Sequence, residues 1–215
     1  MEFLAQVAGP GPVLELGIGT GRIALPLAER GLEVHGIDAS EEMVSKLRAK
    51  PGGDAIQVTI GDFADVGVQG AFPLVFVVFN TLFALLTQEN QLRCFQGVAQ
   101  HLTEDGVFVV QAFVPDLARF DRSQRVQAFS IEVDSVRIDA SIHDLANQRI
   151  DAQLIQVTGE GVRMFPVQLR YAWPSELDLM ARLAGLQLRE RWSGWDRAPF
   201  TSASTSHVSL YERAR

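Results

Sequence analysis

Cysteine is almost absent from this chain: Cys94 is the single one in 215 residues. One thiol excludes an internal disulfide framework and any multi-cysteine zinc site, and it points to a reduced, cytoplasmic setting. Basic charge is also in short supply. With 19 Lys and Arg against 26 Asp and Glu, the formal net charge is −7. Such a balance gives no long-range attraction for a phosphate backbone, so nucleic acid is not an expected partner. Long apolar runs are missing too. The longest, Phe72 to Leu86, is interrupted by Asn80 and Thr81 and falls short of the ~20 residues that a bilayer demands. No membrane association is expected. The opening MEFLAQVAGPGP lacks the basic start and apolar core of a signal peptide. Repeats and low-complexity tracts are absent as well. What remains is 47% hydrophobic and 21% charged, the composition of one large domain, or one domain with a modest insertion, that can build a full core.

The apolar segments fall into an order. Val13 to Leu16 reads as a short buried strand ending in glycine. Thr20 is placed to cap a helix running to Arg30, with Pro26 expected to kink it and Gly31 to stop it. Leu32 to Ile37 forms a second strand. Ser40 opens the helix SEEMVSKLRAK, which Pro51-Gly52-Gly53 ends. Strands follow at Ala55 to Ile60 and Leu74 to Phe79, then a helix over Gln88 to Leu102 and a fifth strand over Val107 to Ala112. This alternation predicts an α/β sandwich with a mainly parallel sheet and helices on both faces. From about Gln127 to Trp173 the pattern changes to two-residue alternation, broken at Asn147 and Gly159-Glu160-Gly161. Those residues predict antiparallel strands packed over one edge of the main sheet. A helix from Pro174 to about Ala184 and strands at Leu186 to Trp192 and Ser206 to Tyr211 complete the chain.

Gly17, Gly19 and Gly21 lie at alternate positions between the first strand and its helix, where glycines let a ligand approach the backbone at a helix start. A nucleotide P-loop would end in Gly-Lys-Ser/Thr, which Gly21-Arg22-Ile23 does not supply. A dinucleotide loop would place its third glycine where Arg22 stands. The spacing left is Glu15-Leu16-Gly17-Ile18-Gly19-Thr20-Gly21, an acid followed by G-x-G-x-G. Asp38, ending the second apolar run, suits the ribose hydroxyls of an adenosine. By itself it serves NAD equally well, or caps the helix that follows.

This loop closely resembles the first motif of class I S-adenosylmethionine-dependent methyltransferases. The likeness continues in Asp62-Phe63 of IGDFADV, in FNTLFALLTQENQLRCFQGVAQHLTEDGVFVV and in YAWPSELDLMARLAGLQLRE, and covers most of residues 10 to 112 and 171 to 212. It implies an α/β fold with a doubly wound, seven-stranded, mainly parallel Rossmann-like sheet and a small antiparallel β insertion after the fifth strand. On this reading residues 1–215 form a single domain, and residues 127–173 are the insertion that walls the acceptor pocket. The implied cofactor is S-adenosyl-L-methionine. Glu15 would meet its ammonium, while the backbone of Leu16, Gly17, Gly19, Thr20 and Gly21 would meet its carboxylate end. Asp38, Ala39 and Met43 would hold the ribose side, with Asp62 on the adenine amino group and Phe63 against the ring. Phe79 and Asn80 would complete the site from the end of the fourth strand.

The acceptor follows from what that fourth strand lacks. Phe79-Asn80-Thr81-Leu82-Phe83 contains no proline, unlike the nucleic-acid base-methylating branch of the family. Only Asn80 and the more distant Asp116 are available as metal ligands, so no metal is expected. A small-molecule acceptor is the expectation, with N-methylation ahead of O-methylation. Its wall would draw on His143, Tyr171, Trp173, Trp192, Trp195 and Asp196. His143 shares a polar strand face with Arg137, Asp139 and Ser141 and reads as a surface residue; facing the methyl group, it would be the general base. Tyr171 is the second catalytic candidate, and equally fits a core position between sheet and insertion. Arg22 reads as a solvated or ion-paired helix residue and Cys94 as structural. About a dozen residues precede the first strand, fewer than in many relatives. The expected consequences are a site open on that side, one covered by a homodimer partner, or a natural start upstream. Two other functions stay open: a member of the family that binds the cofactor without transferring a methyl group, and an NAD-dependent oxidoreductase.

Overall fold

The computed structural model describes residues 2–9 and 11–214. Five strands, β1 (Val13–Leu16), β2 (Val34–Asp38), β3 (Gln57–Ile60), β4 (Phe72–Val77) and β5 (Leu102–Phe113), pair in parallel. Four more, β6 (Gln124–Ile131), β7 (Ser135–Asp144), β8 (Arg149–Thr158) and β9 (Gly161–Arg170), form a separate antiparallel sheet in simple order. The last two, β10 (Leu186–Trp192) and β11 (Ser206–Arg213), return to the main sheet, whose order is β10-β11-β5-β4-β1-β2-β3. β11 runs antiparallel to β5 and β10 antiparallel to β11. The expected seven-stranded, mainly parallel sheet is therefore present, with the antiparallel sheet inserted after its fifth strand in sequence.

Burial explains the apolar runs. Every residue of β1 and nearly all of β4 are buried, because helices cover both faces of a parallel sheet. On one face α1 (Glu2–Ala8), α2 (Ala24–Ala28) and α3 (Glu41–Arg48) contribute Leu4, Leu27 and Leu47 to a core with Phe76 and Val109. On the other, α4 (Gln88–His101) and α5 (Pro174–Leu183) contribute Phe95 and Leu177 to a core with Phe108 and Tyr211. Cys94 lies in that second core with no exposure, and burial pushes its thiol pKa up, which suits a structural role. Two caps sit where the sequence predicts a helix start: the Ser40 and Thr87 hydroxyls accept from the amides of Met43 and Asn90 at 3.2 and 3.1 Å.

The helix after β1 differs from expectation. It begins at Ala24, so Thr20 belongs to the loop and caps nothing, and the cap residue Ile23 offers no side-chain bond. Pro26 falls in the first turn, where a missing N–H matters little, so it shortens the helix instead of kinking it. Gly31, at φ +86°, ends the segment as expected, with Leu32 N–H donating to the Leu27 carbonyl.

The antiparallel sheet starts at Gln124, three residues before the predicted boundary. Its register puts Asp139 opposite Leu154, Ser141 opposite Ala152 and His143 opposite Ile150. These residues line the side that faces the loop after β5. The polar face of β7 is therefore the inner one, and its apolar residue Ile142 is exposed. His143, expected at the surface, is only 4% exposed.

Candidate active site

The order of the main sheet reverses between β1 and β4, since β1's other neighbour is β2. Crossovers leave that point toward opposite faces and open a crevice at the carboxyl ends of the strands. A cleft of about 320 Å³ occupies it, lined by Glu15 to Thr20, Arg22, Ile23, Met43, Val78, Phe79 and Thr81. Gly17, Gly19 and Gly21 all take left-handed φ, +70°, +55° and +76°. Gly17 is doubly constrained, because a Cβ there would lie 2.4 Å from Thr81 Cγ2.

Glu15 is 4% exposed at the cleft, and its Oε2 has no hydrogen-bond partner. Desolvation raises its pKa well above the ordinary carboxylate value, a shift that the Ala24 backbone amide and the Arg22 charge reduce and that Asp38 adds to. Asp38 ends β2 with Oδ2 accepting from Gly19 N–H at 2.7 Å and Oδ1 from Ser40 N–H at 2.9 Å. It thus ties the glycine loop to the start of α3, and each oxygen keeps a lone pair. The amides of Gly17 and Ile18 donate to the Ile37 carbonyl, and that of Gly21 to the Ile18 carbonyl. Four loop amides, three of them among those the sequence offers to a carboxylate, are engaged within the chain.

Across the cleft, Phe79 and Asn80 adopt φ +55° and +66°, an uncommon conformation for side-chain-bearing residues. Gln111 of β5 holds it in place: its Oε1 accepts from Phe79 N–H at 2.6 Å and its carbonyl from Asn80 N–H at 3.2 Å. Asn80 Oδ1 in turn accepts from Phe113 N–H at 2.7 Å. The Arg22 guanidinium stacks 3.7 Å over the Phe79 ring.

Beyond Phe113 a second cavity, of about 210 Å³, opens between the loop after β5 and the inner face of the antiparallel sheet. Phe113, Phe120 and Tyr171 line it with Ile150, Leu154, Val167 and Leu169, and Arg125, Asp139 and Ser141 supply polar groups. His143 Nε2 lies 2.9 Å from the Tyr171 hydroxyl, and its ring centroid is 4.5 Å from that of Phe120. Desolvation lowers the His143 pKa, partly offset by Asp144, and raises that of Tyr171. Burial thus favours the neutral form of both groups, which a single hydrogen bond joins.

A family model described as a methyltransferase domain matches residues 13–106. The structure of the CcbJ methyltransferase from Streptomyces caelestis is 42% identical, with a TM-score of 0.94 over 100% of this chain and 88% of that one. The chain belongs to the class I S-adenosylmethionine-dependent methyltransferases. The cypemycin N-terminal methyltransferase of a Streptomyces species is 29% identical over 94% of this chain and 82% of its own length. The sugar N-methyltransferase KedS8 from a Streptoalloteichus species shares the fold at 18% identity, with a TM-score of 0.70 over 100% of this chain and 86% of that one.

The methyltransferase cleft suits a ligand with an ammonium group, because a buried, unpartnered carboxylate oxygen is what such a group requires. Of the residues singled out in the sequence, Glu15, Leu16, Gly17, Gly19, Thr20, Met43 and Phe79 line it. Gly21 packs toward Leu47 and Leu25 instead. Asp38 reaches the cleft through Gly19, whereas Ala39 and Asp62 are exposed outside its lining. Asp62 Oδ1 accepts from Ala64 N–H at 2.9 Å, and Phe63 is buried beneath Gly17. Trp192 and Trp195 pack on Phe3 of α1, at centroid distances of 5.5 and 5.6 Å, away from the second cavity. Asp196 lies in the same exposed loop, accepting from Ala198 N–H. Trp173 stands edge-on to Tyr171 without lining that cavity.

Sequence reasoning gave no site role to several residues. Arg22, read as a helix residue, stands in the turn before α2 and lines the first cleft, whose rim Gln111 holds, and Phe113, Phe120, Arg125 and Asp139 line the second. Gln111 carried a signal: it is one polar residue within the apolar run VFVVQAF. A buried clasp joins the two sheets without any such cue. Arg170, 6% exposed, donates to Gln91 of α4 at 2.8 Å, to Glu176 of α5 at 2.7 Å and to Gln148 at 3.3 Å.

Proposed function

We propose that this methyltransferase N-methylates a small-molecule amine held in the second cavity, without a metal ion. The observation carrying this reading is the buried Tyr171–His143 pair, with Tyr171 on the wall of a largely apolar cavity and His143 behind it, next to the β4–β5 rim of the cleft. The cypemycin enzyme, similar over most of this chain, is named for N-terminal methylation, which supports nitrogen over oxygen.

On this reading Glu15 binds the ammonium of S-adenosylmethionine, and Asp38 with Met43 holds its ribose side. Asp62 and Phe63 lie toward its base. Since four loop amides are already engaged, the Arg22 guanidinium at the cleft mouth takes the carboxylate. When bound, the cofactor supplies an electrophilic methyl group. The chain's own part is to orient and to deprotonate. Phe113, Phe120 and the aliphatic wall exclude water from the acceptor nitrogen. Tyr171 passes its proton to neutral His143 and takes one from the amine, and His143 releases the proton to solvent.

Tyr171→Phe and His143→Gln should each lower kcat by about 10²- to 10⁴-fold, with affinity for S-adenosylhomocysteine unchanged. In the wild type the acid limb of kcat should lie below pH 6.5, since burial holds His143 under its ordinary value; it should vanish in His143→Gln. Full activity in both variants sinks the proton relay. Binding of S-adenosylhomocysteine without turnover on any amine or phenol would instead assign a non-catalytic role.

A further inference from the structure

Asp139 is the second cavity's unsatisfied group. Its Oδ2 lies 3.4 Å from Arg125 Nη1, while Oδ1 is buried with no partner. Arg125 is committed on both sides, to Asp139 and to Gln127 Oε1. The Leu154 side chain stands directly across the ladder from Asp139 and offers no donor. A carboxylate oxygen enclosed in this way costs free energy until a donor reaches it. Asp139 also stands at a definite distance from the chemistry. It precedes His143 by four residues on β7, hence by about 13 Å. Between them β7 presents the Ser141 hydroxyl, and the facing strands β8 and β9 present apolar Ala152, Val167 and Leu169.

We propose that Asp139 is the specificity-determining residue for the acceptor: its Oδ1 accepts a hydrogen bond from a hydroxyl at the far end of the amine, across an apolar spacer from the methylated nitrogen. The Arg125 charge beside Asp139 disfavours a second ammonium there, so a neutral hydroxyl is the matching donor. At about 210 Å³ the cavity is smaller than the ~300 Å³ lower bound for drug-sized sites, and it takes one ring-sized portion of an acceptor. This inference rests on the acceptor-site reading given above.

Three amines test it on the full chain saturated with S-adenosylhomocysteine: cyclohexylamine, the aminocyclohexanol with its hydroxyl on the opposite ring carbon, and the corresponding diamine. Calorimetry should show the aminocyclohexanol binding about tenfold tighter or more than either of the others. In Asp139→Leu that preference should collapse to near unity while cyclohexylamine binding persists; Asp139→Asn, which keeps an accepting oxygen and the shape, should retain part of it. Equal binding of the three amines, a preference for the diamine, or an undiminished preference in Asp139→Leu overturns the proposal. So does binding of none of them, or a uniform loss for all amines in both variants despite intact melting behaviour. Failure of S-adenosylhomocysteine itself to bind would instead strike the cofactor reading on which the proposal stands.

Discussion

At the residue scale, two buried titratable groups, Glu15 and His207, pull stability in opposite directions. Glu15 has one oxygen accepting nothing, so its ionised form costs free energy in the unliganded protein. Glu15→Gln removes the charge and keeps the shape. It should raise the melting temperature without ligand, by about 2–4 °C for each kcal/mol relieved, and weaken S-adenosylhomocysteine binding by about 10- to 100-fold. Thermal scans and calorimetry read the two effects, and unchanged affinity would remove Glu15 from the ammonium site. His207 is fully buried, with Nδ1 2.9 Å from Ser209 Oγ and Nε2 unpartnered. Desolvation, and then the Arg191 charge, lower its pKa to about 4. The unfolded chain binds this proton near 6.5 and the folded chain only near 4, so stability falls as pH drops across that window, by about 3 kcal/mol. His207→Gln should flatten this part of the pH dependence in urea unfolding; an unchanged slope would place the acid sensitivity elsewhere.

At the scale of elements, the loop between β1 and α2 shows what its glycines are for. The sequence makes the loop legible because left-handed φ at alternate positions calls for residues without a Cβ. It does not reveal that Gly17 also faces Thr81, which comes from the other side of the switch point. Gly17→Ala therefore meets two penalties, the backbone conformation and the 2.4 Å approach to Thr81 Cγ2. It should destabilise by about 1–3 kcal/mol. Adding Thr81→Ser removes the clashing methyl group and should restore part of the loss, giving a favourable coupling in a double-mutant cycle. Strict additivity would mean that the two elements do not press together as described. Pro26 teaches the complementary lesson: a proline inside an apolar helical pattern predicts a kink, but here the helix simply starts later.

At the scale of the whole molecule, Arg170 clasps the antiparallel sheet to the helices α4 and α5 beside the apolar contacts of Ile150 and Leu169. Its guanidinium bonds α4, α5 and the β7–β8 turn, and its carbonyl accepts from Gln91 Nε2 at 2.7 Å. Gln148, in the same clasp, donates to the Tyr171 carbonyl at 3.0 Å and to Glu176 at 2.8 Å. The clasp thus fixes Tyr171 against the second cavity. Arg170→Gln leaves Glu176 short of its cation and should cost about 3–5 kcal/mol. Hydrogen exchange should speed up in β8 and β9, and acceptor KM should rise while S-adenosylhomocysteine affinity holds. An equal loss in both readouts would show that the antiparallel sheet and the first cleft are not separately supported.

The sequence by itself determined the features whose causes are local. Glycine spacing marked the left-handed loop at the cleft, apolar runs the buried parallel strands, the Ser40 hydroxyl the start of α3, and two-residue alternation the antiparallel sheet. Alternation says that a strand has two faces; it does not say which one turns inward. The polar face of β7 therefore read as surface, although tertiary packing encloses it around Tyr171 and Asp139. Trp192 and Trp195 read as pocket wall because aromatic side chains suit a pocket, and only the position of α1 assigned them elsewhere. Arg170 and Gln91 stand 79 positions apart, and nothing in either neighbourhood anticipates the other. Which polar groups share a buried space depends on contacts between distant segments, and only the tertiary structure brings those segments together.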